Sequence, residues 1–251
     1  MSIMIQQTAE GPVATANSEG RTVAFTTQRV GQRFQSSAAS VIAALDHVAN
    51  ETAAAADDLK PDALLKRIRA GHERHTGPAA LAMRNEIATA KRDHATRLQR
   101  LMSEPSDPMI AAEDRAAFRA VSIGERRRWI ANAGKEALAA IITVGRQRWP
   151  ELDDAAWQAA VDRLAKLTFL EQSGVLANFS IQPTPAAPAP VGVDMAAAEA
   201  FADERITAFR AEQAETVQAE RRLSDLISLV AVSCEMTRPD DAMALLGLAA
   251  A

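Results

Sequence analysis

Apolar residues recur every three or four positions along most of the chain, which is the spacing of one face of an α-helix. The most regular run lies between residues 23 and 59, where Phe34, Val41 and Val48 fall seven residues apart. A second such run lies between residues 194 and 237. Apolar spacing of this kind, sustained over several heptads, is typical of helices that pair with other helices. We therefore predict an oligomer interface at nine positions: Phe34, Val41, Leu45, Val48, Ile206, Phe209, Leu223, Ile227 and Val230.

Between these two runs, the stretch from Ser122 to Gly174 is predicted to form a helical hairpin. Ser122 and Glu125 have the spacing of a capping box, in which each side chain satisfies a free N–H group of the first turn. Pro150 ends the first helix because proline donates no hydrogen bond and restricts the preceding residue. Asp153 or its neighbour Asp154 then caps the second helix, and Gly174 follows as a left-handed C-cap.

Breaks in the helical pattern divide the chain into five segments. The first is polar and aperiodic, and we predict a flexible tail without a fold of its own. The fourth is rich in proline and alanine, which favours an extended, semi-rigid linker and marks a domain boundary. Because alternating strand patterns are nearly missing, the predicted fold class is all-α. The predicted segments are a tail (1–20), a long-helix region (21–104), a central hairpin domain (105–179), a linker (180–193) and a C-terminal helical arm (194–251).

The composition fits a reducing environment and argues against secretion. The chain has 251 residues and one cysteine, so it cannot form an intramolecular disulfide. The N-terminus lacks a basic segment followed by an apolar one, so no secretory signal is expected, and the longest apolar runs are too short to span a membrane. We expect a soluble intracellular protein in a reducing compartment, or a particle assembled in one.

The net charge of −4 conceals a strong asymmetry along the chain. Residues 1–60 carry a net charge of −2, residues 61–150 a net charge of +7 and residues 151–251 a net charge of −9. The basic middle can attract the acidic end, within one chain or between neighbours, or it can face nucleic acid. The third interpretation is that both charged faces are simply solvated.

The densest basic cluster is Arg126, Arg127 and Arg128, in the first turn of a predicted helix. Basic side chains oppose the helix macrodipole at this end, at a cost of about a few tenths of a kcal/mol each. Such a placement suggests that the charges serve a partner, either a phosphate backbone or an acidic protein surface. These three arginines are our candidate nucleic-acid contacts, and a solvated helix face supported by Glu125 is the alternative.

Residue patterns with recognisable enzyme chemistry are missing. His72 and His75 would share one helix face, but the spacing differs from that of zinc proteases and of di-metal carboxylate proteins, so we expect solvent-exposed histidines at a kinked helix end. His94 lies on an apolar stripe and is expected in the core. Cys234 lies among aliphatic residues and is expected to be buried and inert. There is no phosphate-binding loop, nucleophile elbow or dinucleotide fingerprint. We therefore predict a protein that is not an enzyme, with no catalytic residue, cofactor, metal or small-molecule substrate.

The run from Glu113 to Arg126 resembles a pattern in uncharacterised helical proteins of tailed-bacteriophage gene clusters. In those proteins a short helix rich in arginine and alanine ends in a Ser-x-x-Glu-Arg start to the next helix, as at Ser122 here. The segment Arg146 to Pro150 is similar in style, and the resemblance covers roughly residues 110–175. It defines no active site. It implies a virion or assembly component, located in the bacterial cytoplasm during assembly and afterwards in the virion.

These observations together favour a non-enzymatic structural or assembly protein that forms homo-oligomers, or joins other proteins in a bacteriophage particle. In this hypothesis the long helices pair with neighbouring subunits and the proline linker lets the C-terminal helix reach an adjacent copy. The alternative is a nucleic-acid-binding protein that uses the basic middle and is associated or ejected with a genome. That alternative requires Arg126–Arg128 to share a surface with Lys66, Arg69, Arg84, Lys91 and Arg92.

Overall fold

The computed structural model describes residues 2–18, 20–28, 30–102, 104–181, 183–185, 188–189 and 192–249. The chain separates into two compact units, the first comprising Met1–Arg92 and Glu212–Ala251 and the second Asp93–Ala211. Most described residues are helical, and a small sheet lies at the N-terminus. Among the helices of the described part, none is long and apolar enough to cross a membrane.

The sheet consists of three antiparallel strands in the order β1 (Ser2–Thr8), β2 (Gly11–Ser18) and β3 (Arg21–Thr26). This sheet corrects two predictions, the flexible tail at residues 1–20 and the strictly all-α fold. Its buried face is built from Ala14, Ala16 and Phe25, with Ile3 beside them. Because two of the inward residues are alanines, the alternation of large apolar and polar residues that signals a strand is missing from the sequence.

Helices account for the rest of the regular structure. The helix predicted from residue 23 begins instead at residue 35, after β3 and a short 3₁₀ turn. In chain order the helices are α1 (Gln35–Ala53), α2 (Pro61–Gly71), α3 (Gly77–Leu101), α4 (Pro108–Ala120), α5 (Ile123–Asn132), α6 (Lys135–Ile142), α7 (Asp154–Gln172), α8 (Met195–Ser233) and α9 (Pro239–Leu245).

Helices α2 and α3 are joined by a π-helical turn, His72–Thr76. The sequence predicted an interruption or kink between Gly71 and Pro78, but Gly71 and Gly77 both have right-handed helical backbone angles. Pro78 has no N–H to donate and its ring crowds the preceding turn. The wider π-helical turn comprises the residues that Pro78 would crowd. The chain therefore remains helical there and changes its pitch instead of breaking.

The core of the first unit contains most of the residues that we assigned to an oligomer interface. Phe34, Val41, Leu45 and Val48 are buried there together with Leu223 and Val230, and Ile227 packs against them. In the second unit, Ile206 and Phe209 are also buried. A side chain enclosed within its own chain has no surface left for another subunit. The three-four spacing therefore reports intramolecular helix packing, and the interface prediction is wrong for the eight buried positions.

The core of the second unit forms around the central hairpin. Trp149 is fully buried there, along with Phe118, Leu138, Ile141 and Leu164. The first helix of the hairpin is not continuous, because α5 ends at Asn132 and α6 begins after Gly134. The predicted capping box is also absent, since the Ser122 hydroxyl donates to the Glu125 carboxylate (2.6 Å) and accepts no hydrogen bond from a backbone N–H of the first turn.

The proline- and alanine-rich linker lies within the second unit and does not separate two domains. Its ends meet, because Ser180 and Val193 form an antiparallel bridge and the Asp194 N–H donates to the Phe179 carbonyl (2.8 Å). The extended conformation predicted for Gln182, Ala186, Ala187, Pro190 and Val191 concerns positions outside the described residues. Helix α8 begins in the second unit and ends in the first, so the predicted C-terminal arm is not an independent segment.

Candidate functional site

The three arginines of the basic cluster have different surroundings. Arg126 is buried, with its side chain 8% exposed, and forms an ion pair with Glu151. Its guanidinium also donates to the backbone carbonyls of Val121 (3.2 Å) and Arg119 (3.3 Å) and lies 5.2 Å from the Phe118 ring centre. The Glu151 carboxyl accepts a hydrogen bond from the backbone N–H of Glu151 itself. This hydrogen bond and the Arg126 guanidinium both lower the pKa of the Glu151 carboxyl. Arg126 therefore joins α5 to its surroundings and is not available to a phosphate.

Arg127 is exposed but is also paired within the chain. It contacts Asp153, the residue that caps α7 by accepting a hydrogen bond from the Ala156 N–H (2.7 Å). That N–H and then Arg127 lower the pKa of the Asp153 carboxyl, so the carboxylate is charged at neutral pH. Two of the three candidate nucleic-acid contacts are thus neutralised by acidic residues that follow Pro150, and their proximity was not foreseen from the sequence.

We predict that Arg126 contributes to stability and that Arg128 does not. Arg126→Met keeps most of the side-chain volume but removes the ion pair and both carbonyl contacts. We expect the free energy of unfolding to fall by about 2 kcal/mol, as for the loss of hydrogen bonds to a charged group. Arg128→Met is the matched control and should leave it unchanged within about 0.5 kcal/mol. Urea unfolding followed by circular dichroism gives both values, and equal stability of the two variants would contradict this assignment.

Arg128 is exposed and lines an open groove along α5. We call this surface the α5 face; it has a volume of about 470 Å³ and is lined by Val121, Glu125, Arg128, Trp129, Asn132 and Ala133. Its apolar floor includes the partly buried Trp129 ring, which packs on Phe118 with ring centres 4.9 Å apart. Ile123, at the start of the same helix, is 67% exposed. The arrangement combines an anchored aromatic ring with a charged rim, which is suited to binding another protein.

The other basic residues considered for nucleic-acid binding lie in the first unit, whereas Arg126–Arg128 lie in the second. Most of them make contacts within the chain. Arg69 donates to the Cys234 carbonyl (2.9 Å), Arg84 donates to the Leu248 carbonyl (3.1 Å), and Lys91 pairs with Glu220. These contacts use the charges to hold helix ends and neighbouring helices together.

His72 is fully buried, contrary to the prediction of an exposed histidine. Its Nε2 lies 2.8 Å from the Ser233 hydroxyl and its Nδ1 lies 3.1 Å from the Thr76 hydroxyl. Burial lowers the pKa of His72 to about 4. A histidine beside a serine resembles part of a catalytic triad, but Ser233 is fully buried as well and no substrate could reach its oxygen. The pair is therefore structural.

The remaining candidate residues are buried. Burial raises the pKa of the Cys234 thiol to about 11, which keeps it protonated and unreactive. His94 is buried against Phe209, with ring centres 5.6 Å apart. Within the described residues, one group has the composition and spacing of a metal site: His47, Glu51 and His75. This group was not predicted from the sequence, because His47 and Glu51 lie on α1 whereas His75 lies far along the chain in the π-helical turn.

Comparison of the chain with protein-family models, with curated proteins and with solved structures finds no match.

Proposed function

We propose that the protein is a non-enzymatic structural or assembly component that forms homo-oligomers through the α5 face. The supporting observation is the open groove along α5, which is lined by Trp129 together with Glu125 and Arg128. Tryptophan and arginine are the residues that most often dominate the binding energy of a protein interface. The Phe118 ring beside Trp129 holds the indole in place, so less side-chain freedom is lost when a partner binds.

The occupant that best fits the α5 face is the same face of a second copy. In an isologous pair every contact occurs twice, so a self-complementary surface must present both signs of charge. Two antiparallel copies of α5, related by a two-fold axis midway between residues 126 and 127, place Glu125 of each copy opposite Arg128 of the other.

The assembly in which such a dimer would serve is a bacteriophage particle, a proposal that rests on the sequence resemblance of residues 110–175. The alternative function, nucleic-acid binding by the basic middle, is weakened by the contacts of Arg126 and Arg127 with Glu151 and Asp153. A nucleic-acid site needs several cations free to replace counterions on the phosphates. In this cluster only Arg128 has no ion pair among the described residues.

We predict that Arg128→Glu weakens self-association by about tenfold or more, because it places two glutamates opposite each other twice in the dimer. The measurement is sedimentation velocity over a range of protein concentrations at low salt. Arg148→Glu is the matched control, since Arg148 is also exposed, also lies in the second unit, and undergoes the same charge change. Equal association of Arg128→Glu and the wild type would exclude the α5 face as the interface.

A further inference from the structure

A cluster of three metal-ligating side chains lies on the first unit and shares no residue with the α5 face. His47 and Glu51 are one helical turn apart on α1, and the His47 Nε2 lies 3.4 Å from a Glu51 carboxylate oxygen. The His75 Nε2 lies 3.9 Å from the same oxygen. One ligand atom from each residue can be chosen so that all three lie within 4.8 Å of one another. The three side chains therefore face a common point.

The unbound geometry leaves one polar atom of this cluster without a hydrogen bond. The His75 Nε2 is buried and makes no hydrogen bond with any of the described residues. Polar atoms in such a position are rare, because an unsatisfied buried nitrogen costs about 1 to 3 kcal/mol. A metal ion between His75 and Glu51 would satisfy this nitrogen.

The π-helical turn is the reason that His75 reaches α1. His72 and His75 belong to the same five-residue turn, yet His72 is fully buried against Ser233 while His75 is partly exposed and contacts His47. The His47 and His75 rings meet edge to face, with centres 4.2 Å apart. Turns of this kind occur often at functional sites, since they rotate the side chains away from the regular helical positions.

We propose that His47, Glu51 and His75 bind a zinc ion and thereby fasten α1 to the junction of α2 and α3. Two imidazoles and one carboxylate are a ligand set that zinc accepts, with water in the fourth position. In a tetrahedral site with bonds of about 2.1 Å, neighbouring ligand atoms lie about 3.4 Å apart. The His47–Glu51 separation already has this value. The His75–Glu51 separation must shorten by about half an ångström, which the partly exposed Glu51 side chain (31% exposed) can accommodate by rotating.

The zinc proposal is independent of the oligomer proposal and replaces our expectation that the chain holds no metal. It is tested by isothermal titration of ZnCl₂ into chelator-treated full-length protein. We expect one saturable site per chain, and a rise of the melting temperature on adding zinc, because an ion that binds only the folded state stabilises it. Cobalt(II) is the second probe and should give the visible absorption of a tetrahedral site that includes imidazole ligands.

Glu51→Gln and His75→Gln are the diagnostic variants, and each should weaken zinc binding by about tenfold or more. Glu73→Gln is the matched control, because Glu73 is exposed in the same π-helical turn and belongs to no metal-ligating group among the described residues. It should bind zinc as the wild type does. Circular dichroism of the zinc-free variants shows whether each is folded before titration. Absence of saturable binding by the wild type, or binding that Glu51→Gln leaves unchanged, would overturn the proposal.

Discussion

Replacing Trp149 with alanine is expected to lower the free energy of unfolding of the second unit by about 3 to 5 kcal/mol. Trp149 is fully buried, and its ring meets the Phe118 ring edge to face with centres 5.1 Å apart. Its indole N–H donates to the Ile141 carbonyl at 3.0 Å. The substitution leaves a cavity the size of an indole and also an unsatisfied carbonyl, and both effects destabilise the fold.

Urea unfolding followed by far-ultraviolet circular dichroism measures this loss, because most of the second unit is helical. Trp157→Ala is the matched control, since Trp157 is only partly buried at the edge of the same core and should cost less. Trp149→Phe should give an intermediate loss, because phenylalanine refills part of the cavity but restores no hydrogen bond. A loss for Trp149→Ala no larger than that for Trp157→Ala would contradict the proposed core.

The second large effect is a loss of stability on acidification that originates at His72. Burial lowers the pKa of this side chain from 6.5 to about 4 in the folded state. The folded state therefore resists protonation, while the unfolded chain binds a proton near pH 6.5. The contribution of the neutral histidine is complete above pH 6.5, declines as the pH falls towards 4, and changes no further below that. The difference in pKa corresponds to a loss of about 3 kcal/mol.

The variant His72→Gln isolates this contribution, because glutamine does not titrate and its amide can still reach the Ser233 hydroxyl. The free energy of unfolding of both proteins should be measured between pH 7.5 and pH 4 by chemical denaturation. We expect the wild type to lose about 3 kcal/mol more than the variant over this range. Parallel pH profiles for the two proteins would show that His72 is not buried in its neutral form.

Local signals in the sequence predicted several helix ends correctly. Asp107 stands directly before Pro108, an order that favours a helix start, and its side chain accepts hydrogen bonds from the N–H groups of Met109 (2.7 Å) and Ile110 (3.4 Å). Asp153 caps α7, and Gly174 follows α7 with a left-handed backbone (φ 64°). These signals work because the hydrogen bonds that end a helix involve residues only two or three positions apart.

Contacts over longer distances could not be predicted in this way. The apolar spacing of Phe34, Val41 and Val48 shows that this helix packs on another helix. The same spacing occurs whether the second helix belongs to the same chain or to another chain. The strands were missed because alanines fill their buried face. Likewise, Glu151 and Asp153 follow the charged residues of α5 by more than twenty positions, so the neutralisation of Arg126 and Arg127 appears only in the folded chain.

The candidate sites show the same distinction. His75 was considered with His72 because the two are close in sequence, but the π-helical turn separates them and brings His75 to His47 and Glu51 instead. The α5 face was also not predicted, because the basic cluster on the same helix suggested nucleic-acid binding instead. In both places the residue types were visible in the sequence, while the backbone geometry that selects their partners was not.

We propose that two copies of the chain associate through a self-complementary α5 face. The most direct test mixes two charge-reversal variants, Glu125→Arg and Arg128→Glu, and measures the light-scattering mass after size exclusion at low salt. Each variant alone pairs like charges and should elute near the 26.8 kDa of one chain. Their equimolar mixture pairs opposite charges at every contact and should show twice that mass. A mixture that remains at the mass of one chain, or single variants that associate as the wild type does, would contradict the claim.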